Sequence, residues 1–311
     1  MSEFSKANLL PGFGFIGALA LVSMIQGYLY YQGDTSCSLD DFAGAAVSAW
    51  EQNGKLANSS CYQKHFRDRS DLEFSRSHAR RIEAELAKTR PRVGYKIGGH
   101  DPVLRSKIGL SEALFGVFYG EDSFLESGAK VNIDGQTLNF EPDLLLRVGD
   151  DRIMEAKSAE DIAQYIDRVF AFIELPVLIV DPAEEKFTFP YLMQATNLGA
   201  RYGVIGEYVD TASDPDLYAD LRDLTVVASN EDGTQRSIFN SLDKESVHVF
   251  EAAVQAAEHL RGRGEALRKG DLISVGALMQ EFLDIPAEND GTRHVHYYIG
   301  DRDPLHVSVK F

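Results

Sequence analysis

Glu141-Pro142-Asp143 and Glu174 are the residues of this chain best suited by type and spacing to do chemistry. The first two acids head an apolar run, Leu144-Leu145-Leu146. The two-residue period of a β-strand puts Glu141 and Asp143 on one face. Glu174 lies inside a second apolar stretch, Phe170 to Val180. Carboxylates are costly to bury in such settings unless something pairs with them. No cation stands beside them in sequence, so three oxygen-donor groups point to a hard divalent metal. The same spacing also fits exposed charges at strand ends.

Elements that would position these acids are readable on both sides. Leu39 to Gln52 carries apolar residues at helical spacing, with Ser38 as an N-cap and Asn53-Gly54 as a stop. Asp71 to Lys88 reads as a second helix, closed by Pro91, and Arg92 to Gly98 as a strand. Strands are expected at 113–119, 129–133 with a turn at Asp134-Gly135, 138–148, 171–180 and 202–209. A helix is expected at 158–170 and an Ala-rich one at 247–261. Segments 224–228 and 235–239 flank Asp232-Gly233 as a hairpin, and short strands close the chain near 272–275, 294–299 and 306–311. Many short strands with few helices predict an α+β domain. No repeat, dinucleotide fingerprint or phosphate loop is present.

The chain has 311 residues, 44% of them hydrophobic and 25% charged, which supports a sizeable core and excludes global disorder. A formal net charge of −17 argues against nonspecific binding to nucleic acid or anionic lipid. Residues 9–31 form a nearly uncharged stretch long enough to cross a bilayer as a helix. Tyr28, Tyr30 and Tyr31 suit a membrane–water boundary. Ala18-Leu19-Ala20 would fit signal cleavage, but apolar residues continue past it, so an uncleaved anchor is the favoured reading. It implies a membrane-anchored or exported protein rather than a cytoplasmic one. In that setting a Cys37–Cys61 disulfide is plausible, against two free thiols. The expected organisation is residues 1–35 as anchor or signal, 36–91 as a helical part and 92–311 as a β-rich core. The eight histidines show no metal spacing. His294 and His296 alternate on one strand face, in a polar hairpin, and read as solvated.

Four segments occur in a telling order: Arg92-Val-Gly-Tyr-Lys-Ile-Gly98, Leu114-Phe-Gly-Val-Phe118, Phe140-Glu-Pro-Asp-Leu144 and Phe172-Ile-Glu-Leu-Pro176. With Lys269-Gly-Asp-Leu-Ile-Ser-Val-Gly276 and Val307-Ser-Val-Lys-Phe311, they resemble the fumarylacetoacetate hydrolase family. The similarity is to its 2-keto-4-pentenoate hydratase and 4-oxalocrotonate decarboxylase branch, over residues 39–311. It implies a mixed β-roll core with flanking helices. It also implies Mg2+ or Mn2+ held by Glu141, Asp143 and Glu174, with Lys96 orienting the substrate carboxylate or moving a proton. The implied activity is that of a lyase, a hydratase or decarboxylase, acting on a small 2-oxo or 2-hydroxydienoate acid through a metal-chelated enolate. Asn197 and Arg201 are candidate substrate contacts, and Glu121 and Asp122 loop acids near them. Relatives are commonly homo-oligomers.

Three departures qualify the likeness. The second metal position is Asp143 where the family has Glu, one methylene longer. Thr196 stands where many relatives carry an acid before the asparagine. Gly276-Ala-Leu-Met279 replaces a Gly-Ser-Leu-Thr type segment, so two hydroxyls become apolar at Ala277 and Met279. A site short of hydrogen-bond donors loses discrimination. The alternative reading is therefore a non-catalytic, membrane-tethered ligand-binding or scaffold relative.

Overall fold

The computed structural model describes residues 38–52, 54–57, 62, 72–107, 109–132, 139–180, 189–234, 236–241, 247–279 and 291–311. The chain divides into two compact units, residues 1–41 and 42–311. The 9–31 segment and both cysteines lie outside the described residues. Among the described residues, no helix is long and apolar enough to cross a membrane.

Helix α1 spans Leu39–Glu51 and α2 Leu72–Leu86. Ser38 caps α1 as expected, its hydroxyl accepting from Asp41 N at 3.3 Å. Strands β1 (Arg92–Gly98), β2 (Leu114–Tyr119) and β3 (Phe124–Glu126) follow, with α3 (Pro102–Lys107) between the first two. Next come β4 (Glu141–Val148), α4 (Ala159–Ala163), β5 (Ile166–Leu175), α5 (Phe189–Ala195) and β6 (Tyr202–Asp210). After α6 (Leu217–Asp220), strands β7 (Leu224–Asn230) and β8 (Arg236–Asn240) form the predicted hairpin. The chain ends with α7 (Glu251–Gly262), β9 (Leu272–Ser274), β10 (Thr292–Ile299) and β11 (Leu305–Lys310).

The architecture is α+β, as the patterning implied. A mixed seven-stranded sheet runs in the order β2-β1-β9-β4-β5-β6-β3, and a four-stranded sheet in the order β11-β10-β7-β8. Central strands β4 and β5 are buried along most of their length, which explains their unbroken apolar sequence. The inward face of β10 carries Val295, Tyr297 and Ile299 into the core.

Two elements depart from expectation. The helix expected over 158–170 stops at Ala163, and β5 begins at Ile166. Pairing with β4 on one side and β6 on the other supplies ladder bonds that outweigh local helical periodicity. The strand expected over 129–133 is reduced, among the described residues, to a single bridge between Lys130 and Lys310.

Candidate metal centre

Register gathers the acids that sequence separates. The antiparallel β4–β5 pairing sets Glu141 directly opposite Glu174 and Asp143 opposite Phe172. Lys96 enters from β1, whose parallel pairing places it beside Ser274 of β9, the strand next to β4. Its ammonium stands 2.6 Å from Glu174 Oε1 and 3.8 Å from Glu141 Oε2. Lys96 is 3% exposed, while Asp143 and Glu174 are fully buried. Glu141 is half-buried, with Asn139 Nδ2 donating to its Oε1 at 3.3 Å.

Asp143 is held differently. Its Oδ2 accepts from the Ser274 hydroxyl and from Gly276 N, and its Oδ1 from Leu144 N at 2.6 Å. Gly276 reaches it with φ of +92°, and a Cβ there would stand 2.4 Å from the Ile97 carbonyl oxygen. Tyr297 closes the other side. Its hydroxyl accepts from Asp143 N at 3.0 Å and donates to the Phe172 carbonyl at 2.5 Å.

The electrostatics show a cluster short of positive charge. Burial, with repulsion from Glu141 and Asp143, holds Glu174 well above the ordinary carboxylate range despite Lys96. Burial also pushes Asp143 up to about 7, against the hydrogen bonds it accepts. Burial disfavours the Lys96 charge, yet Glu174 and Glu141 outweigh it and raise its pKa. Ion and acid alike therefore cling to protons. One ammonium facing three carboxylates leaves a formal excess of two negative charges. Both Glu174 oxygens are buried without a hydrogen bond of good geometry. These orphaned oxygens and Glu141 Oε2 form a donor set that fits a hard divalent cation. Among the described residues, no three His, Cys, Asp or Glu side chains already have donors gathered for a metal. Here the Lys96 ammonium is the cation in contact with Glu174.

No protein-family model matches the sequence, and no curated protein matches it. Solved structures do. Two solved structures of 4-oxalocrotonate decarboxylase from Pseudomonas putida G7 superpose on it. The one complexed with magnesium and adipate has a TM-score of 0.70 at 16% identity, covering 88% of this chain and 97% of that one. The one complexed with calcium and acetate has a TM-score of 0.68 at 16% identity, covering 88% and 98%. The chain has the 4-oxalocrotonate decarboxylase fold. The resemblance read from the ordered segments holds at the level of fold.

Within this fold, the remaining candidates have partners of their own. Asn197 is buried at φ of +60° and spends its amide on the backbone of Val117. Its Oδ1 accepts from Val117 N and its Nδ2 donates to Val117 O, both at 2.8 Å. Arg201 lies 4.0 Å over the Trp50 ring and pairs with Asp122 Oδ2 at 3.1 Å. Asp122 also accepts from Arg90, so this loop acid serves an ion-pair network. Thr196 returns its hydroxyl to the Leu192 carbonyl at 2.9 Å. Ser274 and Tyr297 are the functional residues that sequence reading passed over. Ser274 sat inside a quoted segment, but only the β9–β4 register shows that it faces Asp143.

Proposed function

We propose that this protein is a metal-dependent lyase that hydrates or decarboxylates a small 2-oxo or 2-hydroxydienoate acid. The carrying observation is the pairing of half-buried Glu141 with fully buried Glu174, the two acids sharing the single Lys96 ammonium. Glu141 and Glu174 would hold Mg2+ or Mn2+, with the charge of Asp143 behind them. The ion, when bound, supplies Lewis acidity to the 2-oxo group. Lys96 holds a proton beside Glu174 and, displaced toward substrate, pairs with its carboxylate or delivers that proton. Ser274, Gly276 and Leu144 fix Asp143, so the strand end stays rigid while substrate binds. The magnesium–adipate and calcium–acetate complexes of the similar decarboxylase support a divalent ion accompanied by a carboxylate ligand.

One observation favours a second reading, a ligand-binding protein without turnover. Asp143 already accepts three hydrogen bonds, and the following segment is apolar at Ala277, Leu278 and Met279. A chelator-stripped preparation separates the two. Turnover of a 2-hydroxydienoate or oxalocrotonate-type acid should return with Mg2+ or Mn2+ and vanish in Glu174→Ala. Full turnover without metal would exclude the lyase reading. Metal and oxalate binding with no turnover of either class of acid would establish the binder.

A further inference from the structure

We propose that His294, His296 and His306 form a second metal site, selective for a borderline transition-metal dication such as Zn2+. It lies on the outer face of the four-stranded sheet. Antiparallel pairing sets His296 directly opposite His306, and His294 opposite Ser308. Period-two geometry puts His294 and His296 on one face, and direct pairing puts His306 on the same face. That face points away from Val295 and Tyr297, which are buried, while the three imidazoles are half-buried and open to solvent.

The three imidazoles and the carboxylate of Glu207 do not yet converge on one point, and small ring movements would bring them together. His294 Nδ1 and His306 Nε2 face each other at 3.1 Å. Two nitrogens on a tetrahedral ion, each bonded at 2.0–2.1 Å, stand about 3.3 Å apart. The pair thus needs to open by only a few tenths of an ångström. The His296 ring lies 4.7 Å from that of His306, tilted by 36°, and completes the set by turning toward the pair. Glu207 of β6 supplies the fourth direction. Its Oε2 accepts from His306 N at 2.8 Å. Neutral imidazole is the ligand form, and it suits Zn2+, Cu2+ or Ni2+ rather than Mg2+.

An ion there would tie β10 and β11 to β6. β10 also carries Tyr297, whose hydroxyl joins Asp143 to Phe172. The site would therefore brace the strand that closes the carboxylate cluster without entering it. Sequence spacing concealed this arrangement, because His306 meets His296 only through strand pairing.

Co2+ titration of the tag-free, chelator-stripped chain tests the assignment, with excess Mg2+ present to fill the carboxylate cluster. Expected is one Co2+ per chain with the intense visible bands of tetrahedral coordination, displaced by Zn2+. His306→Ala and His296→Gln should each weaken binding by about 100-fold or more, and Glu207→Gln by about tenfold. Glu174→Gln should leave the bands unchanged. Circular dichroism melts of the same variants verify folding. Absence of tetrahedral bands in the wild-type chain, or equal affinity in folded His306→Ala and His296→Gln, would overturn the site.

Discussion

Lys96 is the residue on which the chemistry turns, because it neutralises one of three acids and leaves the rest for a cation. Its side chain was legible through the Gly-Tyr-Lys-Ile-Gly segment, and Glu141, Asp143 and Glu174 through their apolar settings. What they touch was not. Lys96 lies 45 residues from Glu141 in sequence and meets it only across a neighbouring strand. Lys96→Met should lower turnover by about 10²–10⁴-fold, the usual worth of a positioned proton donor. It should also tighten Mg2+ binding by about tenfold, because a like charge has left a low-dielectric site. Calorimetric titration beside turnover rates checks both, and weaker Mg2+ binding would show that Lys96 supports the ion site instead. Ser274→Ala removes a donor from a buried carboxyl, a loss of about 1–3 kcal/mol. The folded pKa of Asp143, about 7, exceeds the unfolded value, so the penalty of its charge grows as pH rises toward that value. The Ser274→Ala defect should therefore be larger at alkaline than at mildly acidic pH in metal-free urea melts.

Edge strand β2 shows how an element is made by groups its own sequence does not contain. It closes one side of the seven-stranded sheet, where free backbone groups would invite mispairing. Two side-chain amides act as the missing strand. Gln194 exchanges bonds with Phe115 N and O at 2.9 and 2.8 Å, and Asn197 does the same for Val117. Gly116 between them permits the approach, since a Cβ there would stand 2.8 Å from the Asn197 carbonyl oxygen. Strand β2 itself was legible from its apolar run, as were β1, β4, β6 and the β7–β8 hairpin. The short helix α5 and the true start of β5 were not, because tertiary pairing rather than local period decides both. Asn197 matched a motif, yet its side chain answers to β2. Asn197→Ala should destabilise the fold by about 2–4 kcal/mol, two buried backbone groups having lost their partners. Mg2+ affinity of the refolded protein should be unchanged. A loss of Mg2+ binding at full stability would return Asn197 to the site.

For the molecule as a whole, acid stability is decided by two opposed effects. The sequence pI is about 4.9, so self-repulsion among the excess acids fades as pH falls toward that value. Net charge alone thus predicts greater stability there. Two histidines oppose it. Burial lowers His100 to about 4, beside Arg105, and lowers His259 to about 3, with Arg76, Arg263 and Arg80 adding repulsion. His259 stacks on Phe115 with ring centroids 4.0 Å apart, so protonating it also disturbs the face of β2. Their folded values lie below the unfolded one, near 6.5, so the unfolded chain takes up protons first. The stability they contribute is present above about pH 6.5 and is lost as pH falls toward 4 for His100 and 3 for His259. For His100, which is 8% exposed, the loss amounts to about 2–3 kcal/mol by about pH 4.5. That exceeds the gain expected from relaxing exposed surface charges, which are individually worth little. Protonation of the buried acids Asp143 and Glu174, whose folded values are raised, opposes this loss, so the measurement that isolates it is the difference in urea unfolding between neutral pH and about pH 4.5, compared between wild type and His100→Asn. His100→Asn should remove about 2–3 kcal/mol of that difference, because the buried acids contribute equally to both proteins and cancel. An identical pH dependence of stability in wild type and His100→Asn would assign the acid limb to another group.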